Sequence, residues 1–228
     1  MDNKNTGSER FVNIESRSFF SIMTNFSSNF LSEYFAIIKK TKWNSLKWKG
    51  LTLMKDPMSL SIYMQLLQDL KPKTILEFGT FEGGSALWMK DILAASGQEC
   101  KIYTFDIDEN NVKIKEDDKI IFKQLDNYEI KSFIETNKDI FINMEGPVLV
   151  IEDSHENVLE LLTTINSFLK DGDYLVVEDT IDESKHLVMQ QFLNNNQYLV
   201  DTKYCDFWGQ NNSWNINSFL KKTKLDKK

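Results

Sequence analysis

Two acidic clusters carry the chemistry most directly readable in this chain. Val148 to Ile151 form a continuous apolar run that closes in Glu152-Asp153-Ser154-His155, and Tyr174 to Val177 form a second that closes in Glu178-Asp179-Thr180. Runs this apolar read as strands buried on both faces of a parallel sheet, so the two clusters should reach the same carboxyl edge. Carboxylates gathered there suit Mg²⁺ or another divalent cation, a hard ion that takes one or two carboxylates and fills its remaining positions with water or substrate oxygens. Asp153, Glu178 and Asp179 are the candidate metal ligands. A hydroxyl on such an ion becomes more acidic, and His155, two residues beyond Asp153, is placed to take its proton. Asp153 and His155 are therefore the candidate catalytic pair. The alternative for the same residues is that Asp153 and Asp179 cap the helices that follow them and that His155 is a polar rim residue.

A second candidate site lies earlier, in Ile75 to Met89: a short apolar run, an acidic residue, glycines, then an amphipathic segment. This is the pattern of a strand feeding a tight turn and a helix. Glu77 could accept a hydrogen bond from a ligand hydroxyl, while Gly79, Gly83 and Gly84 lack the β-carbons that would hold a ligand away. Thr80 and Ser85 in the same turn complete the set. One βαβ unit later, Lys101 to Asp108 read as a second strand ending in Asp106 and Asp108, where a carboxylate is placed to hold ribose hydroxyls; Asp106 directly closes the apolar run and ranks before Asp108. Asp126, in the loop after a third strand at Lys119 to Phe122, could reach an adenine amino group. A plain βα turn with a solvated Glu77, and loop aspartates bonded to their own backbone, are the competing readings.

The surrounding elements must hold these strand ends together. The segment from Phe11 to Ile38 repeats apolar residues at helical spacing and predicts one or two N-terminal helices that cover the main domain, line its pocket or pair subunits. Lys55-Asp56-Pro57 leads into a helix beginning near Leu60, with the Ser59 hydroxyl as its cap and Lys71-Pro72 as its end. Helices are expected over Ala86 to Leu93, Val158 to Leu169 and 183 to 195, with a helix or partly helical connector over 130 to 142 and a sixth strand at Gln197 to Val200. Tyr204 to Trp214 reads as an aromatic and amide-rich loop near the pocket mouth, followed by a C-terminal helix from Asn215 to Lys222.

The 228 residues suffice for one layered domain, and a net charge of -7 gives no electrostatic reason to expect nucleic acid or an anionic membrane as partner. Lysines gather in 39 to 49 and 221 to 228, where they read as solvated ends. Two cysteines, Cys100 and Cys205, provide neither a disulfide framework nor a four-thiolate metal site. With no leader and no membrane-length apolar run, a soluble cytoplasmic protein is expected.

Taken in order, these segments resemble the cephalosporin hydroxylase-like and rhamnosyl O-methyltransferase family, within the S-adenosylmethionine-dependent methyltransferases. The resemblance runs from about Trp48 to Trp214. It rests on Trp48-Lys49-Gly50, Lys55-Asp56-Pro57, EFGTFEGGSA at 77 to 86, FDID at 105 to 108, the DSH of 153 to 155 and VVEDT at 176 to 180. The chain is also similar, more distantly, to metal-dependent macrolide sugar O-methyltransferases. The resemblance implies an α/β, Rossmann-like class I methyltransferase fold, with an open, mostly parallel sheet and helices on both faces. It divides the chain into an N-terminal helical extension and lead-in at 1 to 58 and the catalytic domain at 59 to 228.

The same resemblance implies S-adenosyl-L-methionine on the first half of the sheet, where Glu77 and Gly79 match the first cofactor motif and Asp106 the end of the second strand. It places a divalent cation at Asp153, Glu178 and Asp179, with His155 near the general base. The interval from Asp153 to Val158 is shorter than relatives have. Methylation of a hydroxyl on a sugar or polyketide-type small molecule follows, in a chain expected to form a homo-oligomer. The alternatives are a nonenzymatic cofactor-binding or assembly protein and a Rossmann-type NAD oxidoreductase.

Overall fold

A computed structural model describes residues 9–19, 46–115 and 117–224. Ten strands are present among them: β1 Phe11–Val12, β2 Lys47–Trp48, β3 Leu51–Thr52, β4 Thr74–Phe78, β5 Lys101–Asp106, β6 Ile120–Gln124, β7 Val148–Glu152, β8 Tyr174–Val177, β9 Tyr198–Asp201 and β10 Phe219–Lys222. Eight of them make one sheet in the order β1-β9-β10-β8-β7-β4-β5-β6. The five strands from β8 to β6 are parallel, whereas β10 enters antiparallel between β8 and β9. Every residue of β4, β7 and β8 is buried, which is why VLVI and YLVV are continuous apolar runs rather than alternating ones; β4 buries Thr74 and Glu77 among its apolar residues.

The chain's direction of travel across the sheet reverses at β4, which pairs with β5 on one side and β7 on the other. Strand ends diverge at such a point and leave a crevice beyond their carboxyl edge. Parallel register fixes what meets there: Phe78 stands opposite Glu152 and Glu77 opposite Thr104.

Three local elements frame that crevice. The helix Gly84–Ala95 follows the glycine turn, as its sequence requires. The helix Pro57–Leu70 starts earlier than Leu60, and its cap is Asp56: the carboxylate accepts from the amides of Met58 at 2.8 Å and Ser59 at 3.1 Å, while the Ser59 hydroxyl donates back to it. A carboxylate ahead of a proline at the first helical position satisfies two end donors at once, and so displaces Ser59 from the expected role. Between them, β2 and β3 form a hairpin whose turn residues Lys49 and Gly50 both have positive φ, at 48° and 89°, the geometry of a tight two-residue turn.

Two expectations at the ends change. The segment 215 to 222 is not a helix; Phe219–Lys222 is strand β10, with Leu220 opposite Val200 on one side and Leu175 on the other. Pairing with two neighbours outweighs the helix preference that its lysines suggest. Phe11, read as the start of a helical stretch, lies in β1 and pairs with Asp201. The remainder of that stretch, from residue 20, lies outside the described residues. Among the described residues no helix is long and apolar enough to cross a membrane.

Candidate active site

A cavity of about 1010 Å³ opens over the carboxyl ends of β4, β5, β7 and β8. Its wall includes Gly79, Thr80, Gly84, Ser85, Asp106 and Asp126 from the first half of the sheet, and Asp153, His155, Glu178 and Asp179 from the second. The two sites read separately in the sequence are thus two ends of one pocket, of the size that holds a cofactor and part of a second ligand.

At the first end, Asp106 receives the amides of Phe81 at 2.8 Å and Asp108 at 3.0 Å, one on each carboxylate oxygen. Each oxygen keeps further acceptor capacity for a ligand hydroxyl. Asp108 instead turns to its own loop, accepting from Asn110 and Asn111, and is absent from the cavity wall. Asp126 lines the cavity and accepts from the Tyr128 amide at 2.9 Å, so it combines the loop role with access to a ligand.

Glu77 sits deeper than the turn residues that follow it. It is 1% exposed, lies beneath the cavity wall, and accepts from the hydroxyls of Ser85 and, at 2.7 Å, Thr104. Burial pushes its carboxyl above the ordinary range, against the lowering effect of those two hydroxyls. Glu77 therefore holds the turn in shape from beneath the cavity through Ser85 and Thr104. The glycines are also explained by packing. A β-carbon on Gly79 would lie 2.6 Å from the Asp153 carbonyl oxygen, and one on Gly84 would lie 2.1 Å from that of Thr52. They let β4 approach β7 and let the hairpin sit on the helix start, and these contacts shape the cavity. Gly83 faces the Ile114 side chain and is not part of the wall.

At the second end, Asp153, His155 and Asp179 bring one ligand atom each within 4.8 Å of one another. The His155 Nε2 lies 3.5 Å from both Asp153 Oδ1 and Asp179 Oδ2. Neither aspartate caps a helix. Asn157 occupies the cap position before Val158–Asn166, and the Asp182 carboxylate caps Glu183–Leu193, so the alternative reading of these carboxylates does not hold. His155 and Asp179 both have positive φ, 65° and 56°, a backbone region that residues with side chains rarely occupy.

The charges here shift one another. Burial works against ionised Asp153, yet Lys55 and His155 outweigh it and keep its carboxyl below the usual value. Desolvation and then the charge of Asp153 raise the carboxyl of Asp179, and the hydrogen bond with Asp153 raises His155. Glu178 behaves differently: burial, followed by the charge of Asp153, pushes it up to about 7. Its Oε1 accepts from Lys55 Nζ and from the Tyr63 hydroxyl, each at 2.5 Å. Glu178 is not in the Asp153–His155–Asp179 cluster.

Sequence reading did not single out Lys55, Tyr63, Glu152 or Lys185. Lys55 lies inside the Lys55-Asp56-Pro57 motif, but nothing local says that its side chain turns inward. Lys185 is buried in the first turn of Glu183–Leu193, with its Nζ 2.8 Å from the fully buried Glu152 and 3.0 Å from His155 Nδ1. Glu152 also accepts from the His155 amide at 3.0 Å and holds the strained turn. In the aromatic loop, Trp214 lines the cavity, while Trp208 donates to Ser61 at 3.0 Å on the outer face of the Pro57–Leu70 helix.

A parallel sheet reversing at β4, with β10 inserted antiparallel beside β8 and a cofactor-sized cavity over the reversal, defines a Rossmann-like fold of the S-adenosylmethionine-dependent methyltransferase class. More narrowly, the chain belongs to the rhamnosyl O-methyltransferase/CmcI family, whose sequence profile matches residues 40–222. It is 27% identical over 154 residues to a rhamnosyl O-methyltransferase of Mycobacterium leprae, taking in 66% of either chain. It is likewise 27% identical over 142 residues to one of Mycobacterium bovis, covering 60% of this chain and 58% of that one. The chain thus spans at most about 66% of the length of these curated relatives. Among solved structures, a CmcI chain with Mg and SAM superposes with a TM-score of 0.67 at 25% identity, over 79% of this chain and 78% of that one. CmcI without ligand gives the same TM-score at 24% identity, over 80% and 78%.

Proposed function

We propose that this chain transfers the methyl group of S-adenosylmethionine to a hydroxyl of a sugar or polyketide-type small molecule, with Mg²⁺ or another divalent cation assisting. The observation that carries this reading is the single cavity with Asp106 at one end and the Asp153–His155–Asp179 cluster at the other. Membership of the rhamnosyl O-methyltransferase/CmcI family supports the reaction type.

The residues present fit both groups. Asp106 and Asp126 offer acceptors for the hydroxyls and amino group of an adenosine, beside the turn of Gly79 and Thr80. The second end offers the carboxylates of Asp153, Glu178 and Asp179, oxygen donors that suit a hard divalent cation. The cofactor supplies an electrophilic methyl, and the cation supplies Lewis acidity toward an acceptor hydroxyl.

Most of the protein's own contribution is positioning, since transfer needs the acceptor oxygen in line with the methyl carbon and the departing sulfur. Cofactor and cation ends face one space, so an acceptor held at the second end would meet a methyl presented from the first. The acceptor's proton would pass to His155, whose Nε2 lies 3.5 Å from both Asp153 Oδ1 and Asp179 Oδ2. Asp153, kept ionised, holds His155 in place from the other side.

The test is incubation with S-adenosylmethionine, Mg²⁺ and a panel of hydroxylated sugars and polyketides, read by mass spectrometry. A product heavier by one methylene, absent when the divalent cation is chelated, is expected. Methylation at nitrogen or carbon alone, or full turnover in chelator, would contradict the reading.

A further inference from the structure

We infer that the Trp214 indole is the wall against which the acceptor lies, a specificity-determining contact that selects molecules carrying a flat C–H face beside their hydroxyls. This rests on the reading of the cavity as a methyl-transfer site and gives a role to one residue of its wall.

The aromatic residues of that wall divide unevenly between the two halves of the sheet. Phe105 lies in β5, Phe81 belongs to the glycine turn and gives its amide to Asp106, and Tyr128 gives its amide to Asp126. All three stand at the end read as the cofactor's. Among the described residues, Trp214 is the one aromatic side chain of the wall that belongs to the other half.

Its backbone contacts put it there. The segment Trp214–Ile216 runs beside Asp179–Ile181, just past the end of β8. The Ile181 amide donates to the Trp214 carbonyl at 2.9 Å, the Thr180 hydroxyl to the Ile216 carbonyl at 2.9 Å, and the Asp179 amide to the Asn215 side chain at 2.9 Å. The indole therefore stands next to the loop that carries Asp179, and Ile181 joins it in the wall. The mount is fixed from behind. Asn211, Ser213, Asn215 and Asn217 are at most 1% exposed, and the Arg17 guanidinium grips Asp206 at 2.6 and 2.9 Å and Asn217 at 2.7 Å. Trp214 itself is only half-buried, so the loop holds its shape through buried polar groups while the indole adds a flat apolar surface to the cavity.

A saturated ring bearing hydroxyls has two kinds of surface. Carboxylates accept from its hydroxyl edge, and an indole covers its C–H face. Asp179 and Trp214 supply one of each from adjoining loops. Contact with the indole confines the ring to a plane and so limits which hydroxyl can come into line with the methyl. An open-chain polyol offers the hydroxyls without the face.

The test is steady-state methylation of a panel of methyl pyranosides, with glycerol as the ring-free polyol, by the full chain as parent, Trp214→Ala, Trp214→Phe and Trp208→Ala. Calorimetry gives the S-adenosylhomocysteine affinity of each. Trp214→Ala is expected to raise KM for the accepted pyranosides by at least about tenfold, with kcat within about threefold and S-adenosylhomocysteine affinity unchanged. Trp214→Phe keeps a flat face and should recover most of the loss, and Trp208→Ala, on the outer face of the same loop, should match the parent. A KM in Trp214→Ala within about twofold of the parent's, or a Trp214→Phe no better than Trp214→Ala, would overturn the inference and leave the methyl-transfer reading standing. So would a parent that prefers glycerol to every pyranoside. A parent that methylates nothing in the panel would remove the sugar-methylation reading and the inference with it.

Discussion

Lys185 places its Nζ 3.0 Å from His155 Nδ1, behind the ring whose Nε2 meets the two aspartates. It is tied there by the fully buried Glu152 at 2.8 Å. Lys185→Met would leave Glu152 buried and uncompensated, a loss on the order of 3–5 kcal/mol by analogy with other broken buried pairs. Urea unfolding of Lys185→Met and of Lys185→Met with Glu152→Gln checks this. The double variant should be the more stable of the two.

Gly84 has a similarly local dependence. A β-carbon there would lie 2.1 Å from the Thr52 carbonyl oxygen, backbone against backbone. Gly84→Ala should therefore push the β2–β3 hairpin off the cavity, with a stability cost of about 1–3 kcal/mol. Weaker cofactor binding should accompany it. Thermal unfolding with and without S-adenosylhomocysteine separates the two effects: the ligand's stabilising shift should shrink in the variant.

The hairpin is also fastened by a titrating group. The Glu82 carboxylate accepts the Thr52 amide at 2.8 Å and pairs with Lys113, whose side chain first, and the Thr52 amide next, hold its carboxyl down at about 2 against an ordinary 4.5. A carboxyl lowered by folding stabilises the folded state above its unfolded value and loses that contribution as pH falls. The stability difference between parent and Glu82→Gln should be full above about pH 4.5 and fade toward pH 2, as measured by urea midpoints across that range.

Asp106 is the most exposed test of the cofactor end. Removing a charged acceptor from a ligand hydroxyl costs about 1.5–3 kcal/mol, so Asp106→Ala should weaken S-adenosylhomocysteine binding by roughly tenfold to a hundredfold. Asp108→Ala, outside the cavity wall, should bind like the parent.

Much of this was legible in the sequence because buried parallel strands announce themselves. VLVI and YLVV have no solvated face, so their ends, and the acidic residues on them, could be placed at one edge before any coordinates. The glycine turn was equally plain, but its reason was not. Gly79 and Gly84 answer to the backbones of Asp153 and Thr52, contacts between segments far apart in sequence. Glu77 could be picked out from its place before the glycines, but not its hydrogen bonds to Thr104 and Ser85. Lys55 and Lys185 escaped because a buried lysine looks locally like a surface one. Only the fold brings Glu178 and Glu152 against them. The last strand escaped for the same reason, since FLKK is strand only between β8 and β9.

The most direct test of the central claim is calorimetric titration of S-adenosylmethionine into the parent and Asp179→Ala, each with and without Mg²⁺. The parent should bind the cofactor and respond to Mg²⁺, and Asp179→Ala should keep cofactor binding while losing the Mg²⁺ response. A folded parent that takes up no S-adenosylmethionine under any of these conditions would contradict the account at its root.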